Sequence, residues 1–513
     1  MLWPVLSPME RFQTHASTQD LFQKVKQLSA TLPFLRHFES DFPQGEVSLV
    51  GGSVRDFLLG RNTKDADFLV RKVAAPCLHQ FLGRHGKVSF VGKHFGVYKF
   101  RPFGADLDID VALPRTERSF SNKGAYRDFE ILTNSDLPIE EDLKRRDFTI
   151  NAMAVDLTRL CLIDPFEGLK DLESGIIRAV GDPSIRFSED YSRLLRGIRF
   201  ACQFRFQLEP TTWKALCHNM AFINSKHEDG TFVVPRETIA KEMLRALLYD
   251  PVRLFDLWDQ SSAFLELMPE LLKMKGCPQP EVFHSEGDVW THSRLALAEL
   301  SSVRFQEEFQ TRYDAEVALA VMLHDIGKPY TLQTPEKDGV DRIRFNGHDV
   351  VGASLAIKLV ERLKLSSLPK GTPYSVDEDK LAWLIEKHLI LVHGDVDDMR
   401  ASTIEKYFLS PERPGQKLMQ LIFCDGNATI PRDQPTSMRH YGKLKKRMET
   451  LMALGKNKRD LPSPLLSGRE IMAALGISSG PDVGKYLGLL REEQLSGRLS
   501  DREEAMAFLK EIQ

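Results

Sequence analysis

Residues 50–67 read VGGSVRDFLLGRNTKDAD, and the fold turns on how that stretch is built. A strand-like run ending at Val50 meets the double glycine Gly51–Gly52, and a helical pattern opens at Ser53 and carries Arg55. Backbone amides at such a helix start can face an anion closely, so Gly51, Gly52 and Ser53 are candidates for a phosphate cradle. Asp65 and Asp67 follow at the start of the next strand candidate. Side chains alternate along a strand, which puts both carboxylates on one face. Asp110, in LDIDVAL (107–113), offers a third from a neighbouring strand, with Asp108 on its face and Asp106 beyond. Three such carboxylates can hold two Mg2+ ions, one lowering the pKa of an attacking hydroxyl and one gripping a triphosphate. Taken singly, the glycines also fit a tight turn and the Asp-x-Asp a solvated acidic edge.

Outward from this stretch, strand candidates alternate with helical ones between Val47 and Asp156: SLV before Gly51, DFLV, VSFV at Val88, VYKF at Val97 and LDIDVAL. After Asp164–Pro165 the pattern is helical to the end, with Pro- and Gly-rich breaks near 276–280, 431–435 and 461–468, and an exposed loop at 366–377. The expected division is an N-terminal extension (1–45, with a helix around Leu21–Leu32), an α/β head (46–156), a helical neck (157–275), a further helical domain (276–430) and a C-terminal helical region (431–513). The chain has 513 residues, too many for one core, so several domains are expected.

Apolar residues make up 42% and charged residues 27%, with no apolar run long enough to cross a bilayer; the start shows neither a secretory nor a transit pattern. The expectation is a cytoplasmic protein without a membrane partner. Six scattered cysteines with no Cys-x-x-Cys pair suit a reducing compartment, argue against structural zinc and read as buried, inert thiols. A net charge of −3 leaves any RNA-binding surface to local clusters of Lys and Arg.

GGSVRDFLLGRNTKDAD resembles the first motif of the class II tRNA nucleotidyltransferase and bacterial poly(A) polymerase family, within the polymerase-beta-like superfamily. RRDFTINAMA (145–154) resembles that family's next block, in which the arginine and aspartate contact the ribose and phosphates of the nucleotide. The resemblance implies an α+β fold: a polymerase-beta-like head of mixed sheet and helices, then an all-α body that includes an HD domain. It also implies that Gly52, Arg55, Asp65, Asp67, Asp110, Arg146 and Asp147 share one active site.

SEDYSRLLRGIRFACQF (188–204) reads as a helix with Leu194, Leu195, Ile198, Ala201 and Cys202 on an apolar arc, and Asp190, Arg193, Arg196 and Arg199 opposite. Glu189, Asp190 and Arg193 resemble the family's EDxxR motif. A carboxylate accepts from the exocyclic amine of C or A, and a guanidinium donates to the adjacent ring nitrogen; G and U present a carbonyl there and leave acceptor facing acceptor. As in the family, Arg196 and Arg199 are expected to meet the base or the triphosphate. The polar segment 115–143 reads as a loop, and the resemblance implies that such a loop helps a switch from C to A addition. FVGKHFGVYKF (90–100) departs from the basic signature of the poly(A) branch.

HSEGDVWTHSRL (284–295), VMLHDIGKP (321–329) and FNGHDVVG (345–352) resemble an HD phosphohydrolase domain, with His292, His324, Asp325 and Asp425 as ligands of a divalent transition metal or Mg2+, and His348 and His388 able to complete a binuclear site. Residues 465–512 resemble the family's C-terminal, tRNA-contacting part. The expected activity is transfer of CMP and AMP from CTP and ATP to the 3′ end of tRNA, with a possible secondary phosphohydrolase activity. The alternatives are an HD phosphodiesterase or phosphatase with an RNA-binding head, or a poly(A)-, A- or CC-adding enzyme.

Overall fold

The computed structural model describes residues 17–61, 66–91, 97–104, 108–119, 129–392, 395–433, 438–454 and 461–512. The chain divides into two compact units, residues 1–267 and 268–513.

The first unit opens with α1 (Thr18–Ala30), started by a capping box between Ser17 and Asp20, and α2 (Phe34–Asp41). Rather than forming an extension apart from the head, these helices are built into it. Leu21, Val25, Phe34 and Phe38 are buried. Phe34 meets Phe100 edge-on at 5.1 Å, and Phe38 meets Phe81 at 5.7 Å. An amphipathic helix needs a partner for its apolar stripe, and the head supplies it.

The head then runs β1 (Glu46–Val50), α3 (Gly52–Leu58), β2 (Ala66–Arg71), α4 (Ala75–His85), β3 (Gly86–Val91), β4 (Val97–Pro102) and β5 (Ile109–Ala112). After β6 (Arg115–Ser119), β7 (Phe129–Thr133) and α5 (Ile139–Lys144) come β8 (Ala154–Asp156) and β9 (Cys161–Ile163). The main sheet has the order β3-β4-β5-β2-β1-β8-β9, and is mixed because β2 and β5 are parallel while the other neighbours are antiparallel. Val50, Leu69 and Ala154 on one sheet face pack with Ile139 and Leu143 of α5.

Segment 115–143, expected to be a loop throughout, has regular structure on both sides of residues 120–128, which lie outside the described residues. β6 and β7 pair antiparallel from Arg115–Thr133 to Ser119–Phe129, and α5 follows. Phe129, Ile131 and Thr133 have high strand propensity, a local signal that the polar composition hides.

The neck begins with α6 (Gly168–Ser174), β10 (Ile176–Ile177), α7 (Pro183–Glu189) and α8 (Ser192–Phe204). The single helix expected across 188–204 is in fact two. Asp190 is extended, at φ −151° and ψ 103°, and its Oδ1 accepts the Ser192 N–H at 2.8 Å. Aspartate competes for nearby backbone donors in this way, so it ends and starts helices more readily than it continues them. A short β11 (Gln207–Leu208) runs parallel to β10, and α9 (Pro210–Asn219) and α10 (Arg236–Tyr249) follow.

The second unit is helical. Val289–Glu299, Ala315–Leu323, His348–Leu363 and Glu378–Lys387 carry or flank the histidines singled out above, and Gly415–Ala428 carries Asp425. The last three helices, Gly468–Leu475, Pro481–Leu495 and Arg502–Glu511, gather around Ile471, Leu475, Leu490, Ala505 and Leu509. All six cysteines are free; Cys202, Cys277 and Cys424 are buried, but Cys77 and Cys161 are exposed and Cys217 is half-buried, so burial holds for only three. Among the described residues no helix is long and apolar enough to cross a membrane.

Candidate active site

The glycine turn is required by its backbone conformation and leaves space that a side chain would fill. Gly51 has φ +73°, where L side chains are strained, and a Cβ on it would lie 2.3 Å from Nη1 of Arg146. Arg146, nearly a hundred residues later, therefore rests against the turn, with Nη1 3.4 Å from the Asn151 carbonyl and Nη2 3.5 Å from Asp142. Ser53 and Arg55 are buried behind it. Arg55 donates to Asn151 Oδ1 and to Asp56, and its guanidinium lies over the rings of Phe200 and Phe204 at 5.3 and 4.8 Å.

Asp67 and Asp110 are direct partners in the parallel register of β2 and β5, which places both carboxylates on one face. Asp65 and Asp106 lie outside the described residues. Lys99, opposite Asp110 on β4, holds that carboxylate at 2.6 Å, and Arg101 pairs with Asp108. Carboxylate oxygens on one face of adjacent strands are the donor set a hard divalent cation takes.

The second block and the neck are joined by charge. Asp147 accepts Nε and Nη2 of Arg196 at 2.8 and 2.6 Å, and Asn151 Nδ2 at 3.0 Å. Burial works against ionisation of Asp147, but Arg196, Asn151 and Arg193 together outweigh it and hold the carboxyl well below its ordinary range. Arg199 is buried, bonded to Glu242 of α10 and to Gln203, with Phe200 3.9 Å from its guanidinium. The arginine arc of α8 is thus largely an internal face: Arg193 and Arg199 are buried. Arg193 donates to Glu189 at 2.6 Å and to the carbonyls of Arg186 and Arg145 at 2.9 and 3.1 Å. Arg145 in turn bonds Asp142 at 2.9 Å. Asp190 Oδ2 and Arg193 Nε make no hydrogen bond to any described residue, which leaves an acceptor and a donor available.

In the second unit the expected ligands converge. His292 Nε2 lies 3.0 Å from Asp425 Oδ1 and 3.4 Å from His324 Nε2, which is 3.3 Å from Asp325 Oδ2. His348 and His388 approach the other oxygen of Asp325 at 3.4 and 3.8 Å. All are buried apart from the half-buried Asp425, and Nε2 of His348 and of His388 has no hydrogen-bond partner. Two orphaned imidazole nitrogens beside a shared carboxylate fit a bound divalent metal. Burial opposes a charge on His324, yet Asp325 and Asp425 push it up to about 10; burial and the positive His324 bring His388 down to about 4. Lys328 Nζ sits 2.7 Å from Asp325 Oδ2 and 2.8 Å from Gln279.

Residues that sequence reasoning passed over are the partners. Asn151 stands four positions after Asp147 inside the quoted motif and could have been found there. Lys99, Glu286 and Lys328 also lie inside quoted stretches, whereas Asp142 and Glu242 carry no local signal.

A mixed-sheet head with paired aspartates, joined to a neck and followed by an HD-type histidine cluster, defines a metal-dependent nucleotidyltransferase with an HD body. Residues 47–178 match the Poly A polymerase head domain and residues 292–419 the HD domain. The A-adding tRNA nucleotidyltransferase of Deinococcus radiodurans is 31% identical over 91% of this chain and 96% of its own length. The multifunctional CCA protein of Nitrosococcus oceani is 33% identical over 75% of this chain and 84% of its own. The Thermotoga maritima CCA-adding enzyme complexed with tRNA shares the fold at a TM-score of 0.59 and 21% identity, covering 96% of this chain and 98% of that one. The chain belongs to the tRNA nucleotidyltransferase family, the CCA-adding enzymes and their A-adding relatives.

Proposed function

We propose that this protein adds CMP and then AMP, from CTP and ATP, to the 3′ end of tRNA without a nucleic-acid template. The observation that carries this reading is the in-register pair Asp67–Asp110 in the same unit as the free acceptor and donor of Asp190 and Arg193. Asp67 and Asp110, with Asp65, would hold two Mg2+. When bound, the ions lower the pKa of the attacking 3′ hydroxyl and neutralise the leaving pyrophosphate. The Gly51 turn leaves room for the triphosphate beside Arg146, whose guanidinium meets the phosphates. Asp190 accepts from the amine shared by C and A while Arg193 donates to the ring nitrogen. A carbonyl in that place, as in G or U, would leave two acceptors opposed at a cost of about 1–3 kcal/mol. Asp147, bonded on both oxygens, acts by fixing Arg196; Glu242 does the same for Arg199.

The test offers tRNA ending before CCA, in C and in CC, with CTP and ATP separately and together. Two C residues with CTP alone, one A on the CC-ended tRNA with ATP alone, and then arrest are expected. Addition of A only, as the Deinococcus relative's name describes, would restrict the reading to the last step. Unlimited ATP addition would make the chain a poly(A) polymerase, and no incorporation would reject the transferase.

A second reading applies to the second unit and rests on the converging imidazoles. The HD cluster binds a divalent transition metal or Mg2+ and hydrolyses phosphate esters, independently of nucleotide addition.

A further inference from the structure

The four imidazoles of the HD cluster are not held in the same way. His324, His348 and His388 turn Nδ1 to the carbonyl three residues back, those of Val321, Phe345 and Ile385, at 2.8, 2.8 and 2.6 Å. Each of these rings is therefore oriented by a neutral acceptor of its own local backbone. His292 instead presents Nδ1 to a carboxylate, Oε1 of Glu286, at 2.9 Å. Glu286 belongs to the turn before the helix Val289–Glu299, and its side chain is 1% exposed.

That carboxylate is itself fixed from several directions. His284 Nδ1 shares Oε1 at 2.7 Å, and the backbone N–H of Ile430 donates to Oε2 at 3.0 Å. Ile430 lies two residues past the end of the helix Gly415–Ala428, which carries Asp425. Glu286 so connects the segment that bears His292 with the one that bears Asp425, and His292 Nε2 and Asp425 Oδ1 are 3.0 Å apart. A carboxylate behind an imidazole fixes the proton on Nδ1, turns the Nε2 lone pair to the opposite side and increases its donor strength. The HD resemblance covers HSEGDVWTHSRL but assigns no role to Glu286.

We infer that Glu286 is a positioning residue of the HD metal centre, setting the orientation and donor strength of His292, with His284 anchoring it from the outer side. The inference rests on the reading that the HD cluster binds a divalent metal. A residue with a merely structural role would lower the stability of the metal-free protein without changing the affinity of the folded site.

The experiment measures Mn2+ binding by calorimetry to full-length, chelator-stripped protein, together with the thermal midpoint of the metal-free form. Wild type is compared with Glu286→Gln, Glu286→Ala and His284→Ala. Glu286→Gln keeps an acceptor for Nδ1 but removes the charge, and should weaken Mn2+ binding about tenfold with the midpoint nearly unchanged; Glu286→Ala should approach the upper end of the 10–100-fold range of such partners. His284→Ala should weaken binding severalfold. Affinities within twofold of wild type in both Glu286 variants would overturn the inference. If Glu286→Ala does not fold, Glu286→Gln decides. Wild type that binds no Mn2+ would instead overturn the metal reading beneath it, a result distinct from equal binding by all variants.

Discussion

The two sites of this protein hold their carboxylates with different partners. In the head, Lys99 pairs with Asp110, Arg196 with Asp147, Glu242 with Arg199 and Glu189 with Arg193. Protein cations stand beside most of these carboxylates, although Asp142 Oδ2 and Arg146 Nε are buried without a hydrogen bond. In the HD cluster, buried Nε2 of His348 and of His388 makes no hydrogen bond to a described residue and lies 3.4 and 3.8 Å from one oxygen of Asp325. Leaving such a group buried without a hydrogen bond costs about 1–3 kcal/mol, which favours a bound ligand there. The head sets its carboxylates against guanidinium and ammonium groups, whereas the HD cluster sets Asp325 and Asp425 mainly against imidazoles.

The contrast is sharpest at the carboxylates. Asp67→Ala should lower the rate of nucleotide addition by about 10³-fold or more, the equivalent of about 4 kcal/mol, while leaving tRNA binding within twofold. Single-turnover incorporation and filter binding measure the two, and a near-wild-type rate would remove Asp67 from the site. The corresponding break in the second unit, His324→Ala with Asp325→Ala, should weaken Mn2+ binding by about 10²-fold or more and end metal-dependent hydrolysis of 2′,3′-cyclic phosphates. Nucleotide addition should persist, and its loss together with hydrolysis would mean the two sites are not independent.

Gly51→Ala tests the turn. The added methyl group meets Arg146 at 2.3 Å and sits on a left-handed backbone, so KM for the nucleoside triphosphate should rise about tenfold to hundredfold, with a smaller change in kcat. An unchanged KM would show that Arg146 does not touch the phosphates. The smallest effect is expected at the base-reading pair. Asp190→Ala should reduce the kcat/KM preference for CTP over UTP about fivefold to tenfold, the low end of what one base contact contributes. Arg193→Ala is the less clean variant because Arg193 also holds Glu189 and two carbonyls.

Some of this was legible from spacing. The pair of glycines before a helical run, the alternation that puts Asp67 on the face shared with Asp110, and the His324–Asp325 doublet depend on neighbours within a few residues, and the structure brings these elements where the pattern suggests. The arginine arc of α8 shows the limit. A three-residue period reads the same whether a face is wet or buried, and it carried the expected helix through Asp190, where a local side-chain bond stops it. Likewise the periodicity around Leu21–Leu32 revealed a helix but not that its apolar stripe, with Phe34 and Phe38 of α2, completes the head core.

Local pattern in the chain was thus sufficient for the strand-turn-helix start of the head and the order of a mixed-sheet head before a helical body. Folding in three dimensions settled which charged and imidazole groups face each other. Asn151 reaches Arg55 across 96 residues, Glu242 reaches Arg199 across 43, and Asp425 reaches His292 across 133. Hydrogen bonds and ion pairs act over a few ångströms of space regardless of separation along the chain, so a residue such as Glu286, plain in its own turn, acquires its meaning only from the imidazole folded against it.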